Sequence, residues 1–206
     1  MRPDSGITSA RKAEAHPVRA AILAAAAEVL ANDGADGFSL RRVASRAGYS
    51  AGTIYLHFEN KDDLIHHTIE GAFAQFGERL DAAYLAFDEP LARIAGIIRA
   101  YVAFGLAHPV PYRLMFVDRA EYHFVERPTS GLDKLERLYQ AVREAMADGT
   151  IRATDPIALV DALWAASHGV VALAVHMPFM DEARAEAMAE EALRLLYRGV
   201  RPDHPG

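Results

Sequence analysis

Apolar residues recur along nearly the whole chain at the three-and-four spacing of a helix, and nowhere for long at the alternation of a strand. Pro17 suits a first helical turn, where its missing N–H costs nothing. Ile22, Ala26, Val29 and Leu30 carry that helix to a stop at Asp33-Gly34, a predicted span of about 17–32. Residues 1–16 lack this periodicity and read as an arm. Ser39 is a good N-cap for a short helix in which Leu40, Val43, Ala44 and Ala47 share one face while Arg41, Arg42, Ser45 and Arg46 look outward. Gly48 can take the left-handed conformation that ends a helix, and Ser50 can cap a very short third helix, 51–58. Asn60 caps a fourth, with Asp63 as a weaker capping-box partner. Leu64, Ile65, Thr68, Ala72, Phe76, Leu80 and Tyr84 extend it to Phe87, where Asp88-Glu89-Pro90 breaks it.

Further helical patterns cover 91–107, 109–117, 130–147 with Gly149 as the stop, 156–176 and 181–198, separated by a charged loop over 118–128. The expected fold is therefore all-α. An arm (1–16) precedes a three-helix domain (17–63), which a long helix joins to a larger helical domain (64–200) and a short tail (201–206). With 206 residues, 51% of them apolar, a sizeable core can form. The absence of cysteine excludes disulfides, thiolate metal sites and cysteine nucleophiles, and suits a reducing cytoplasm. No signal-peptide-like stretch opens the chain and 20–30 is too short to span a bilayer, so a soluble cytoplasmic protein without a membrane partner is expected.

A net charge of −6 is unfavourable for a nucleic-acid binder only until its distribution is considered. Residues 1–61 hold eight Lys/Arg against six Asp/Glu, whereas 62–206 hold 14 against 22. Attraction to phosphate needs a locally basic face, so an acidic remainder is compatible with duplex binding.

Residues 39–58 meet the demands of a helix-turn-helix: a bracing helix, a Gly-permissive turn, and a second helix whose N-terminus is free to enter the major groove. The run from Phe38 through Ser39-Leu40-Arg41-Arg42-Val43-Ala44, Gly48, Thr53-Ile54-Tyr55 and His57-Phe58 to Lys61 closely resembles the DNA-binding segment of the TetR family of bacterial repressors, over about residues 17–65. Ile54 and Phe58, one turn apart, are expected to bury against Phe38, Leu40 and Val43. Arg41 and Arg42 lie near the positive end of a helix dipole, and the resemblance points to Arg41 as the base reader. Thr53, Tyr55, His57 and Lys61 supply donors for phosphate oxygens, while Ser50, Ala51 and Gly52 open the reading helix with little bulk. Leu56 departs from the family, where that position is more often aromatic or polar; an aliphatic group there offers apolar contact, such as with a thymine methyl.

One short reading helix buries too little surface for tight binding, so a homodimer spanning paired half-sites of a palindromic operator is expected. Leu159, Ala162, Ala166, Val170 and Leu173, with Met188, Leu193 and Leu196, form apolar stripes on the last two helices and are the candidate interface; the competing reading is an ordinary intrachain core. Trp164, His168 and Gly169 resemble the Trp/His-Gly signature of one class of TetR-type C-terminal domains, over about 90–198. Phe73, Tyr101, Phe104, Met115, Phe116, Tyr122, Trp164 and His168 are candidates to line a cavity. The resemblance implies a small apolar or aromatic effector, with the bland alternative that these residues are simply core. Nine histidines raise a metal site, but adjacent His66 and His67 diverge on a helix, and no His-x-x-x-His pair, cysteine or clear carboxylate cluster accompanies them, so neither metal nor cofactor is expected. The function so implied is a ligand-responsive transcriptional repressor. Its rivals are a regulator whose C-terminal half only dimerises or binds a protein, and a helical enzyme, against which stands the lack of paired carboxylates, an activated nucleophile or a phosphate-cradling loop.

Overall fold

The computed structural model describes residues 6–117, 135–177 and 179–202, and among these no residue lies in a strand. The elements run α1 (Gly6–Gly37), α2 (Leu40–Ala47), α3 (Ala51–Tyr55), α4 (Lys61–Leu85), α5 (Pro90–Ala107), α6 (Pro109–Phe116), α7 (Glu136–Ala147), α8 (Pro156–His176) and α9 (Glu182–Val200). The all-α expectation holds. Two compact units divide the chain, Met1–Gly71 and Ala72–Gly206, and the division falls inside α4, some residues beyond the expected boundary near Leu64.

The first helix differs from its expected span at the front end. It begins at Gly6, so residues 6–16 are helical where an arm was expected, and Pro17 lies inside the helix. The segment Ala10-Arg-Lys-Ala-Glu-Ala15 is made almost wholly of strong helix formers, enough to continue the helix past a proline that removes a single hydrogen bond. Gly34 interrupts α1 with φ 66° and ψ 179°, at the stop read from the sequence. In this unit Ile22, Ala26, Val29 and Leu30 of α1, Phe38, Val43 of α2, Ile54, Phe58, and Leu64 and Ile65 of α4 are buried, each large side chain contributing about 1.5–3 kcal/mol.

In the second unit α5 is the core helix, packing against α6, α7, α8 and α9, with Ile94, Ile97, Ile98, Tyr101, Val102 and Phe104 buried. Gly105 permits close approach to α8: a Cβ placed there would stand 2.4 Å from Cγ1 of Val171. α5 and α8 are both long and apolar enough to cross a bilayer, with mean hydropathy 1.4 and 1.7. Burial accounts for α5, but α8 also carries apolar residues on its outward face, where Ile157, Ala162 and Ala165 are exposed. α7 is described only from Glu136, and both the start of the helix expected over 130–147 and the 118–128 loop lie outside the described residues.

Candidate nucleic-acid interface and sensing cluster

Local chemistry fixes the two short helices. Ser39 Oγ accepts from the Arg42 N–H at 3.3 Å and opens α2, and Gly48, at φ 73°, closes it by donating its N–H to the Ala44 carbonyl. Two residues on, Ser50 Oγ accepts from the Thr53 N–H at 3.1 Å and opens α3. Caps of this kind contribute about 1 kcal/mol each. α3 is shorter than the expected 51–58. The N–H groups of Leu56 and His57 bond back to Thr53 and Ile54 at 3.2 and 2.9 Å, tightening the chain into a turn, and Phe58 then returns to the core. Asn60 Oδ1 accepts from the Asp63 N–H at 2.9 Å, and Asp63 Oδ2 reaches back to the Glu59 N–H at 3.1 Å, so the capping pair read from sequence sits at the head of α4.

With Ile54 fully buried and Phe58 2% exposed, the opposite edge of α3 is presented outward: Tyr55 is 59% and Leu56 82% exposed. Ser50, Ala51 and Gly52 are exposed as well. Thr53 and His57 are half-buried; the Thr53 hydroxyl lies 2.9 Å from that of Ser50, and the His57 ring packs 6.5 Å from Phe58. Lys61, expected at the surface, is half-buried, its ammonium 5.9 Å from the Phe38 ring centre. Arg41 is exposed at the start of α2. Arg42 instead pairs with Asp33 at 3.1 Å and Arg46 with Glu28, so these cations tie α2 to α1. Sequence reasoning missed that bracing role; charge spacing within one helix carries no signal of a partner on another.

In the second unit the structure gathers the sensing candidates into one cluster and fills it with their own rings. Phe73 meets Phe116 edge-on at 5.5 Å; Phe76 meets Tyr101, Phe104 and Phe116 at 5.2, 5.2 and 5.7 Å. Met115 is fully buried, and Tyr122 lies outside the described residues. Through the cluster runs a polar row: Trp164 Nε1 donates to Tyr101 Oη at 3.2 Å, Tyr101 and Tyr112 hydroxyls lie 3.1 Å apart, and Tyr112 Oη lies 2.6 Å from His168 Nδ1. An indole can only donate, so all hydroxyl protons find acceptors only if Tyr101 donates to Tyr112 and Tyr112 to a neutral His168. Burial pushes Tyr101 up to about 12, raises Tyr112 as well, and lowers His168. Phe76 and Tyr112 belong to the aromatic crowd visible in the middle of the sequence, but nothing in the spacing singled them out from it as site residues.

The candidate pairing residues divide. Val170 is 5% exposed and belongs to the chain's own core, not to an outward face. Ala166, Leu193 and Leu196 line the seam between α8 and α9, and Leu159 a groove beside it. Met188 is half-buried. Ala162 and Leu173 face outward, joined by Ala165 and by Leu195, which is 57% exposed. α8 is apolar nearly all round, so its stripe could not reveal from sequence which side meets the core.

Comparison with known proteins follows the same division. Residues 22–68 match the family model described as bacterial regulatory proteins, tetR family, and residues 94–196 the model described as tetracyclin repressor-like, C-terminal domain. The HTH-type transcriptional repressor BepR of Brucella suis biovar 1 (strain 1330) is 42% identical over 80 residues, 38% of this chain and 37% of that protein. The chain spans about a third of the length of the first curated relatives it matches. A protein of unknown function from Rhodococcus sp. RHA1 shares the fold with TM-score 0.76 at 30% identity, over 89% of this chain and 95% of that one. The transcriptional regulator FadR from Bacillus subtilis, in complex with stearoyl-CoA, gives TM-score 0.71 at 20% identity over 88% and 98%, a likeness of fold.

Proposed function

The chain belongs to the tetR family of bacterial regulatory proteins, and we propose that it works as a dimeric, ligand-responsive repressor that grips a palindromic operator through α2 and α3. The observation that carries this reading is the capped, Gly48-turned helix pair, which buries Ile54 and Phe58 while holding Tyr55 and Leu56 out to solvent. Arg41 reads a base edge. Tyr55, Thr53, His57 and Lys61 hold phosphates, with Ser50, Ala51 and Gly52 allowing close approach to the groove and Leu56 touching a thymine methyl. Arg42, paired to Asp33, serves mainly to brace α2.

Two reading helices must sit about 34 Å apart to meet one side of a duplex, which requires a partner chain. The outward face of α8, with Ala162, Ala165 and Leu173, and Leu195 of α9 are the proposed seam, since apolar side chains left in water in the single chain gain most from a second copy. An apolar effector acting on the aromatic cluster of the second unit would favour one subunit arrangement over another and so alter the helix separation. The Bacillus subtilis regulator of this fold is in complex with stearoyl-CoA, whose acyl chain is apolar, which supports a ligand with an apolar part. The tight ring packing around Tyr101 and Phe76 favours a second reading, in which this unit only dimerises or binds a protein.

Selection of binding sites from random duplex DNA, repeated with a panel of small apolar molecules, tests the proposal. A two-fold symmetric site released by a panel member is the expected result. A symmetric site that no compound releases supports the second reading, and the absence of any enriched sequence sinks both. In the selected site, Arg41→Ala should relax discrimination at one base pair, worth about 1–3 kcal/mol, whereas Lys61→Ala should weaken all sites alike and flatten the salt dependence.

A further inference from the structure

Where α5, α8 and α9 meet, the second unit retains a half-open apolar groove of about 190 Å³. Leu91 and Ile94 of α5, Leu159 and Leu163 of α8, and Leu193 and Leu196 of α9 form its walls. A smaller gap continues along the α8–α9 seam, sharing Leu163, Leu193 and Leu196, where the short side chains of Ala166, Ala189 and Ala192 leave the two helices incompletely filled. The polar side chain in that stretch, Ser167, donates its hydroxyl proton to the Leu163 carbonyl at 2.8 Å. The Arg152 N–H donates to the Val200 carbonyl at 2.8 Å and its Nε–H to the Gly199 carbonyl at 3.2 Å, pinning the end of α9 to the segment that carries Ile151, another wall residue.

The charges at the rim are already matched. Arg99 grips Glu190 through two parallel hydrogen bonds, the second at 2.8 Å, and Arg194 faces Glu191 at 2.7 Å. An ionic ligand competes with these pairs at the rim and carries its own hydration to be shed in the apolar groove, whereas an uncharged one leaves both pairs intact. Apolar cavities of about 150 Å³ stay dry and take up benzene, and the present space is of that order. We propose that this groove binds one small uncharged hydrophobic molecule of roughly six to ten non-hydrogen atoms. It is separate from the aromatic cluster of Tyr101, Tyr112 and Phe116. The site lies between the helices that also carry the proposed dimer seam, but occupancy is a property of the free chain and does not depend on the regulator reading.

Toluene and benzoate, which share a ring and differ in charge, are the probes, and methyl-selective NMR of the full chain is the measurement. Saturable shifts at the Ile94, Ile151, Leu196 and Val200 methyls with toluene, and binding of benzoate weaker by about an order of magnitude, are expected. Ala95→Leu, which places a larger side chain in the groove from α5, should weaken toluene binding several-fold while leaving the helical circular dichroism intact. If that variant does not fold, the wild-type shifts decide alone. The proposal is overturned by non-saturable or absent shifts, by shifts centred on Met115, or by benzoate binding as tightly as toluene. It is also overturned if the Ile94 and Ile151 methyls, which are on neither α8 nor α9, change with protein concentration in the absence of toluene, which would make the groove a seat for a second copy.

Discussion

His168 illustrates how a single protonation state can be set by neighbours that no sequence window contains. Its Nδ1 is the terminal acceptor of a row that starts at Trp164 and passes through Tyr101 and Tyr112, and burial lowers its affinity for a proton. The folded chain therefore stays neutral at His168 where the unfolded chain, with the ordinary value of 6.5, takes up a proton. Stability contributed by the neutral ring is complete above 6.5 and is lost as pH falls from there toward the lowered folded value. Thermal unfolding followed from pH 8 to pH 5 should show this decline, and His168→Gln should shallow it; equal slopes in the two proteins would assign the decline to other groups. Tyr112→Phe should cost about 1–3 kcal/mol by leaving His168 Nδ1 without its donor. The caps at Ser39, Ser50 and Asn60 were legible in the sequence because donor and acceptor lie three residues apart. The row was not, since its members stand on α5, α6 and α8.

Elements were legible to the extent that their neighbours were polar. α2 and α3 alternate exposed and buried positions sharply, and the start and facing of both were readable from the Leu40, Val43, Ile54 and Phe58 spacing, though α3 ends at Tyr55, short of the expected 58. α1 was misread at its start because a proline can sit within a helix as well as open it, and α8 was misread in facing because apolar residues surround it. Glycine separates the two sides of the α5–α8 packing. At Gly105 a methyl group would meet Val171 Cγ1 and Cγ2 at 2.4 and 2.8 Å, whereas at Gly169 nothing lies within 4 Å. Gly105→Ala should therefore cost about 1–3 kcal/mol by overpacking, with Val171→Ala recovering part of the loss in the double variant. Gly169→Ala should stabilise the single chain by about 0.5–1 kcal/mol through helix propensity alone. Denaturant unfolding of the four proteins is the check, and a neutral Gly105→Ala would show that α8 shifts freely there. If Gly169→Ala instead weakens self-association, the open space beside it is filled by a second copy.

At the scale of the molecule, the two units answer to different demands, and the sequence announced this through its charge. The first 61 residues are mildly basic and the rest strongly acidic, consistent with phosphate attraction confined to one end. Pairing belongs to this scale too. Leu195→Glu alters a side chain more than half exposed in the single chain, so folding should be spared while self-association and two-site DNA binding fall together. Sedimentation paired with DNA titration reads both, and a variant that remains a dimer moves the seam off this part of α9. A last consequence comes from the indole N–H given to Tyr101. Trp164 is the chain's single tryptophan and sits wholly within the second unit, so its emission is a private optical channel onto that unit alone. Ultraviolet ellipticity, by contrast, sums the backbones of both. Melting curves recorded in the two signals will overlay when the units come apart in concert and separate when one yields first, which gives the cooperativity of this regulator without any label.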